Sequence, residues 1–277
     1  MNTLLIGQLP VEKWVSDGVD WITQHLSGLF NVIQSAGNTI MTAMTDGLLA
    51  IPVFLMIAGI FMIAVITSPR RWGFPIFTLA GLLLIANQGL WQDLMNTMTL
   101  VIMSALISLI IGVPLGIAMA KSDRTQAIVQ PILDFMQTMP GFVYLIPAVA
   151  FFGIGVVPGV FASIIFALPP VVRMTNLGIR QVPVDLVEAA DSFGSTSWQK
   201  LLKLELPNAK NTILAGANQT IMLALSMVVT ASMIGAPGLG RGVLTAVQHA
   251  DIGAGFVNGL ALVILAIIID RFAQKLN

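Results

Sequence analysis

Seven apolar runs joined by short polar connections leave this chain little freedom in what it can fold into. They lie at about 48–67, 72–90, 94–120, 138–154, 157–172, 214–234 and 256–269, and none contains Asp, Glu, Lys or Arg. A bilayer core about 30 Å thick is crossed by about 20 apolar residues in a helix, which satisfies its own backbone where no water can. The expected fold class is therefore all-α, a polytopic membrane protein of about 7 transmembrane helices. The fourth run is interrupted by Pro140, Gly141 and Pro147, the fifth carries Pro169-Pro170 near its end, and the seventh is short unless it starts near Ile252. Composition agrees: 9% of residues are charged, against about 25% in soluble domains.

Residues 11–46 have a different pattern. Val15, Val19, Ile22, Leu26, Leu29, Ile33 and Ile40 recur every three or four positions, and Asp17, Asp20, Gln24, Asn31 and Gln34 take the other side. This predicts an amphipathic helix, broken near Gly28 or Gly37, with Trp14 and Trp21 at a membrane interface. Its polar face is acidic with Lys13 as the only base, whereas an anchor on an anionic inner leaflet would be basic; the segment is placed at the outer surface. Residues 1–10 have no basic stretch and no long apolar core, so they do not read as a cleaved signal peptide.

Seven spans alternate sides, so the basic residues of the loops test the orientation. Arg70, Arg71, Lys121, Arg124, Arg173, Arg180, Lys200, Lys203, Lys210, Arg271 and Lys275 fall on one side, and only Lys13 and Arg241 on the other. The first side is cytoplasmic by this rule, which predicts the N-terminus outside and the C-terminus inside.

Several functions are disfavoured directly. With no cysteine and only His25 and His249, far apart, no metal site is expected. A net charge of zero gives no reason to expect nucleic acid as a partner. No Gly-x-x-x-x-Gly-Lys-Ser/Thr is present, so the chain does not cradle ATP by that loop; the segment GAPGLGRG at 235–242 lacks the lysine and reads as a tight turn or a docking contact. His-Glu-x-x-His, Gly-x-Ser-x-Gly and paired buried aspartates are also missing, which argues against an intramembrane enzyme. The spans lack mid-membrane ionisable residues, unlike an ion-coupled carrier.

The one long polar interruption runs from Arg173 to Lys210, and its informative part is Asp185–Pro207, DLVEAADSFGSTSWQKLLKLELP. Asp185 is a plausible N-cap with Glu188 three places on. Leu186, Val187, Ala190 and Phe193 share a face, and Gly194 suits the left-handed residue past a helix end. Ser195 or Ser197 can cap a second helix, Trp198 to Leu206, which Pro207 ends. A helix–glycine–helix hairpin is expected on the cytoplasmic side.

Glu188-Ala189-Ala190, then Gly194, then Leu204-Glu205-Leu206-Pro207 resembles the signature loop of binding-protein-dependent ABC importer permeases, Glu-Ala-Ala, three residues, Gly, nine residues, Ile-x-Leu-Pro. Leu204 replaces the isoleucine. The resemblance implies that the loop, through Asp185, Glu188, Ala189, Ala190, Gly194, Leu204, Leu206 and Pro207, couples the membrane helices to a separate ATPase subunit. Segments 134–155, 169–183 and 222–240 are similar to the permease subunits of glycine betaine/proline betaine importers. That likeness implies a type I ABC importer permease core at 91–271, two peripheral helices at 48–90, the surface segment at 1–47 and a cytoplasmic tail at 272–277. It implies a non-catalytic subunit, with ATP and Mg held by two copies of the ATPase. It also implies an extracellular or lipid-anchored solute-binding protein, a second permease chain and surrounding lipid as partners. The implied cargo is glycine betaine or a related quaternary ammonium osmoprotectant; choline, carnitine or an amino acid, or a nucleotide-independent channel or carrier, are the alternatives.

For a translocation pathway the candidates are Phe142, Tyr144, Phe151 and Phe152 in the fourth run, whose ring faces could meet a quaternary ammonium, and Asn218 and Gln219 in the sixth. Packing between helices is the competing role for the aromatics, and interhelical hydrogen bonding for the amides together with Ser226 and Thr230. Gly112 and Gly116 form a small-xxx-small pair that predicts a close helix contact.

Overall fold

The computed structural model describes residues 9–68 and 72–275, so Arg70, Arg71 and residues 1–8 lie outside the described residues. Among the described residues every regular element is helical. In chain order these are α1 (Val11–His25), α2 (Ser27–Leu49), α3 (Val53–Thr67), α4 (Gly73–Asn87), α5 (Trp91–Lys121) and α6 (Asp123–Thr138). A 3-10 turn (Gly141–Tyr144) leads to α7 (Leu145–Phe152) and α8 (Val156–Arg180). Then come α9 (Val184–Ser192), α10 (Ser197–Lys200), a π turn (Leu201–Glu205), α11 (Leu206–Ser232), α12 (Leu239–Gln248) and α13 (Ile252–Gln274).

Among the described residues four helices are long and apolar enough to cross a membrane: α5, α8, the continuous stretch Ser197–Ser232, and α13. The other three expected spans are shorter or bent. At 15 residues each, α3 and α4 reach about 22 Å at 1.5 Å per residue. Ile51-Pro52 turns α3 by 89° from α2. The fourth expected span is not one helix: α6 and the 141–152 piece meet at 109°, because Pro140 cannot continue the α6 ladder and biases Met139 toward extended backbone (φ −71°, ψ 136°).

Two further boundaries differ from expectation. The Pro169-Pro170 pair sits inside α8, which runs on to Arg180. The prolines remove the N–H donors to the Ile165 and Phe166 carbonyls, and α8 is held through this stretch by α11, whose Thr220 donates to the adjacent Ala167 carbonyl at 2.9 Å. Arg173 is therefore intrahelical, two turns from the end of α8, rather than the first residue of a loop. Its Nη2 donates to Asp134 Oδ1 of α6 at 2.5 Å, so the charge that enters the helix brings its partner with it. The N-terminal helix breaks at Leu26, not at Gly28 or Gly37. It stays on the surface: α1 buries nothing and α2 buries only Met41.

The centre is α8 packed between α5 and α11, and glycines set how closely the axes approach. A Cβ on Gly116 would stand 2.6 Å from both Cβ of Thr175 and the Val172 carbonyl oxygen, and one on Gly216 2.6 Å from Cβ of Met174. The Gly112/Gly116 pair thus faces α8. Small residues let helices in lipid gain dispersion contacts where no hydrophobic effect separates them from their surroundings. To the side, α3, α4 and α13 enclose a second cluster around Ile57, Leu82, Ile85, Ile264 and Leu265.

At the end opposite the 184–205 hairpin, the glycine-rich loop makes a turn through Gly235 (φ +89°) and Gly238 (φ +124°). It then seats α12, where Leu239 N–H donates to Thr97 Oγ1 at 2.9 Å. A side chain at Gly240 would stand 2.5 Å from the Val228 carbonyl oxygen, so this loop is a packing device built on bare backbone. The seventh run takes its longer form, with Asp251 capping α13 through Ala254 N–H (3.0 Å).

Candidate functional site

The hairpin projects from the end where α5 and α8 finish. α9 begins one residue before Asp185, with Pro183 in the cap position and no side-chain cap. Asp185 and Glu188 therefore do not form the expected box; Asp185 lies in the first turn, where its charge suits the helix dipole. The helix ends as expected: Gly194 takes φ +74°, its N–H donates to Asp191 O (2.9 Å), and Ser195 N–H reaches back to Ala190 O (3.0 Å). That pair of bonds is a Schellman closure, which needs a left-handed residue. No atom lies within 4 Å of a Cβ built at Gly194, so backbone conformation alone selects glycine there. Replacing it with alanine is expected to destabilise the hairpin locally by about 1–2 kcal/mol, seen as faster proteolytic nicking between residues 190 and 200 with the global melting temperature unchanged.

The return arm is capped by Thr196, not by Ser195 or Ser197. Thr196 Oγ1 accepts from Gln199 N–H (3.3 Å) and Gln199 Oε1 accepts from Thr196 N–H (2.9 Å). The Thr-x-x-Gln spacing of a capping box was present in the sequence to be read. Lys200 Nζ then bridges the arms, 2.7 and 2.9 Å from the two oxygens of Asp191. The second helix does not stop at Pro207. A π turn spans Leu201–Glu205, closed by Leu206 N–H on Leu201 O, and the chain continues into α11. The proline, lacking an N–H, is tolerated at the start of α11, where the α ladder is already interrupted.

Rigid within itself, the hairpin is bare outside. Asp185, Glu188, Ala189, Gly194 and Pro207 are exposed, while Ala190, Leu204 and Leu206 are half-buried. Phe193 and Trp198 are 90% and 72% exposed. Between the arms lies a cleft of about 350 Å³ lined by Leu186, Ala190, Ser195, Gln199, Lys203 and Leu204. A projecting, cross-braced element with exposed apolar and acidic side chains is suited to insertion into another protein.

The aromatic candidates of the fourth run sit in different surroundings. Tyr144 is buried and donates to the Met136 carbonyl at 2.5 Å. Phe151 stacks on Phe30 of α2 at 4.9 Å, Phe152 meets the same ring edge-on at 5.4 Å, and Phe152 also meets Phe161 at 5.0 Å. Three of the four rings are thus engaged in packing, and Phe142, 60% exposed, is the free one. On α11, Asn218 is half-buried and Gln219 exposed; Gln219 shares an outward face with Asn211 and Ser226. Among the described residues no cluster of His, Cys, Asp and Glu could hold a metal ion.

Comparison with known proteins matches residues 112–277 to the binding-protein-dependent transport system inner membrane component family. The chain is 57% identical, over 98% of its length and 97% of the relative's, to the glycine betaine/carnitine transport permease protein GbuB of Listeria monocytogenes. It is 49% identical, over 98% of its length and 95% of the relative's, to the glycine betaine transport system permease protein OpuAB of Bacillus subtilis. It is 47% identical, over 97% of its length and 75% of the relative's, to the glycine betaine/proline betaine permease ProW of Escherichia coli. In fold it is similar to a chain of the MetNI methionine ABC transporter in an inward-facing conformation, with a TM-score of 0.61 at 20% identity, covering 65% of this chain and 91% of that one. A match across more than half the chain, with whole-length relatives, places the sequence in one family: the chain belongs to the binding-protein-dependent transport system inner membrane components, the non-catalytic membrane subunits of ABC importers.

Proposed function

We propose that this chain forms the membrane path of an ATP-driven importer for glycine betaine and related quaternary ammonium solutes, and that the 184–207 hairpin is its contact with the ATPase. The observation that carries the solute class is the likeness over the whole chain to permeases named for glycine betaine, carnitine and proline betaine. The Arg173–Asp134 pair, which brings charge into α8, is self-neutralised, and this suits a solute with no net charge.

The eleven-to-two division of basic residues supports a cytoplasmic hairpin and an outer N-terminus. Residues 91–271 act as the moving core, with 1–47 at the outer surface, 48–90 as peripheral helices and 272–277 as a cytoplasmic tail. The exposed polar face of α11, with Gln219 and Ser226 two turns apart, would be costly against lipid. A second copy of the chain across a two-fold axis would cover it and enclose a path between the two faces. Two hairpins then meet two ATPase chains, which hold ATP and Mg. ATP shifts the inward–outward equilibrium only by binding one state better than the other. A solute-binding protein on the outside delivers the cargo and performs the tight recognition.

Competition in proteoliposomes tests the solute class. With the ATPase and the cognate binding protein present, labelled glycine betaine uptake should require ATP. Unlabelled betaine and carnitine should suppress it at least ten times more effectively than a neutral amino acid. Equal suppression by that amino acid, or uptake without nucleotide, would reject the reading.

A further inference from the structure

The signature resembled by this loop leaves the x of its closing Ile-x-Leu-Pro open. Here Glu205 fills it, and the structure gives that carboxylate an unusual place. Glu205 is 5% exposed and forms an ion pair with Lys121, the last residue of α5. The pair joins positions 84 apart in sequence. Buried carboxylates are costly unless paired, so the fold holds Glu205 inside for as long as Lys121 stays opposite.

The local backbone makes this pairing consequential. Within Leu201–Glu205 the first and last residues are buried, and Leu202 and Lys203 between them are exposed. Leu201 packs with Ile179 of α8 and Ala209 of α11, with Ile117 and Ala120 of α5 against them. Because the turn is π rather than α, the rod from hairpin to α11 is interrupted by a wider turn, a geometry found at functional sites. The α ladder is therefore not continuous between hairpin and membrane, and the backbone alone gives a weaker link there. The side chains supply the stiff one: Glu205–Lys121 fastens the exit arm to the end of α5. On the entry side, Arg180 Nη2 donates to the Met119 carbonyl (3.0 Å) and to Asp123 Oδ1 (2.7 Å), fastening the other root to the same helix end.

We infer that Glu205 is a positioning residue for transport: its ion pair with Lys121 is the joint that passes hairpin displacement into α5. This rests on the hairpin being the ATPase contact, and the two ideas fail differently. A wrong contact shows as ATPase that associates equally well after the hairpin surface is altered. A wrong joint shows as conformational switching that survives loss of the pair.

The test uses the assembled transporter with its ATPase and binding protein. The chain has no cysteine, so Gln219→Cys on the outward face of α11 is its single labelling site, and label is read on this chain alone after separation from its partners. In that background, ATP with vanadate should change the maleimide labelling rate at least fivefold. Glu205→Gln and Lys121→Met should each reduce the change to less than twofold while the ATPase still co-purifies with the chain. The exchanged pair Lys121→Glu with Glu205→Lys should restore more than half of the labelling change, which a residue serving only as core filler would not do. A full labelling change in Glu205→Gln overturns the inference, and so does a loss that the exchanged pair fails to restore.

Discussion

The Glu188→Arg chain should reach the membrane, melt at the temperature of the parent, and support no measurable solute uptake. Stability is expected to hold because Glu188 is exposed and, among the described residues, its carboxylate has no hydrogen-bond or ion-pair partner, while its backbone stays in α9 with the carbonyl also accepting from Ser192 Oγ at 2.9 Å. Surface changes of that kind stay within about 0.5 kcal/mol. Function should fail because a reversed charge at a docking surface costs several kcal/mol against a partner shaped for the acid. At about 1.4 kcal/mol per tenfold, association with the ATPase falls by roughly a hundredfold or more. Co-purification of the ATPase and uptake in proteoliposomes measure the two halves. Asp17→Arg on the exposed surface of α1 is the matched control and should change neither. Parental uptake by a Glu188→Arg complex that still binds its ATPase would remove the hairpin from the mechanism.

The second large effect concerns the core. Gly116→Leu should prevent recovery of a folded, monodisperse protein, and Gly116→Ala should lower its stability by about 1–3 kcal/mol, the usual cost of overpacking. Backbone is what blocks relief: the Val172 carbonyl oxygen stands 2.6 Å from where Cβ would be, so α5 and α8 must separate along their shared length. Gly59→Leu is the contrasting case. Nothing lies within 4 Å of a Cβ on Gly59 in exposed α3, and its melting temperature should stay near the parent's. Thermal unfolding and size-exclusion profiles in detergent check both. Equal behaviour of the two variants would mean that helix spacing in the core is not set by glycine.

Much of this protein could be read from its order of residues. Long uncharged runs specify membrane helices because lipid offers no other partner for the backbone, and that argument needs no tertiary information. Gly194 could be placed at the turn of the hairpin because a left-handed backbone position selects glycine locally. The motif spacing pointed to the family for the same reason: it is a property of one contiguous segment. What tertiary structure decided was wherever distant segments meet. Pro169-Pro170 read as lying near the end of the fifth run, yet α8 continues to Arg180, because this stretch is held against α11, where Gly216 lets Met174 and the Pro170 carbonyl approach closely. The aromatic run at 142–152 read as a possible cation site, yet Phe30, more than a hundred residues upstream, takes up two of its rings. Glu205 read as a wildcard in a motif, yet it is buried against Lys121. Local backbone preference and solvent choice are written along the chain, whereas the pairing of buried side chains depends on which helix faces come together.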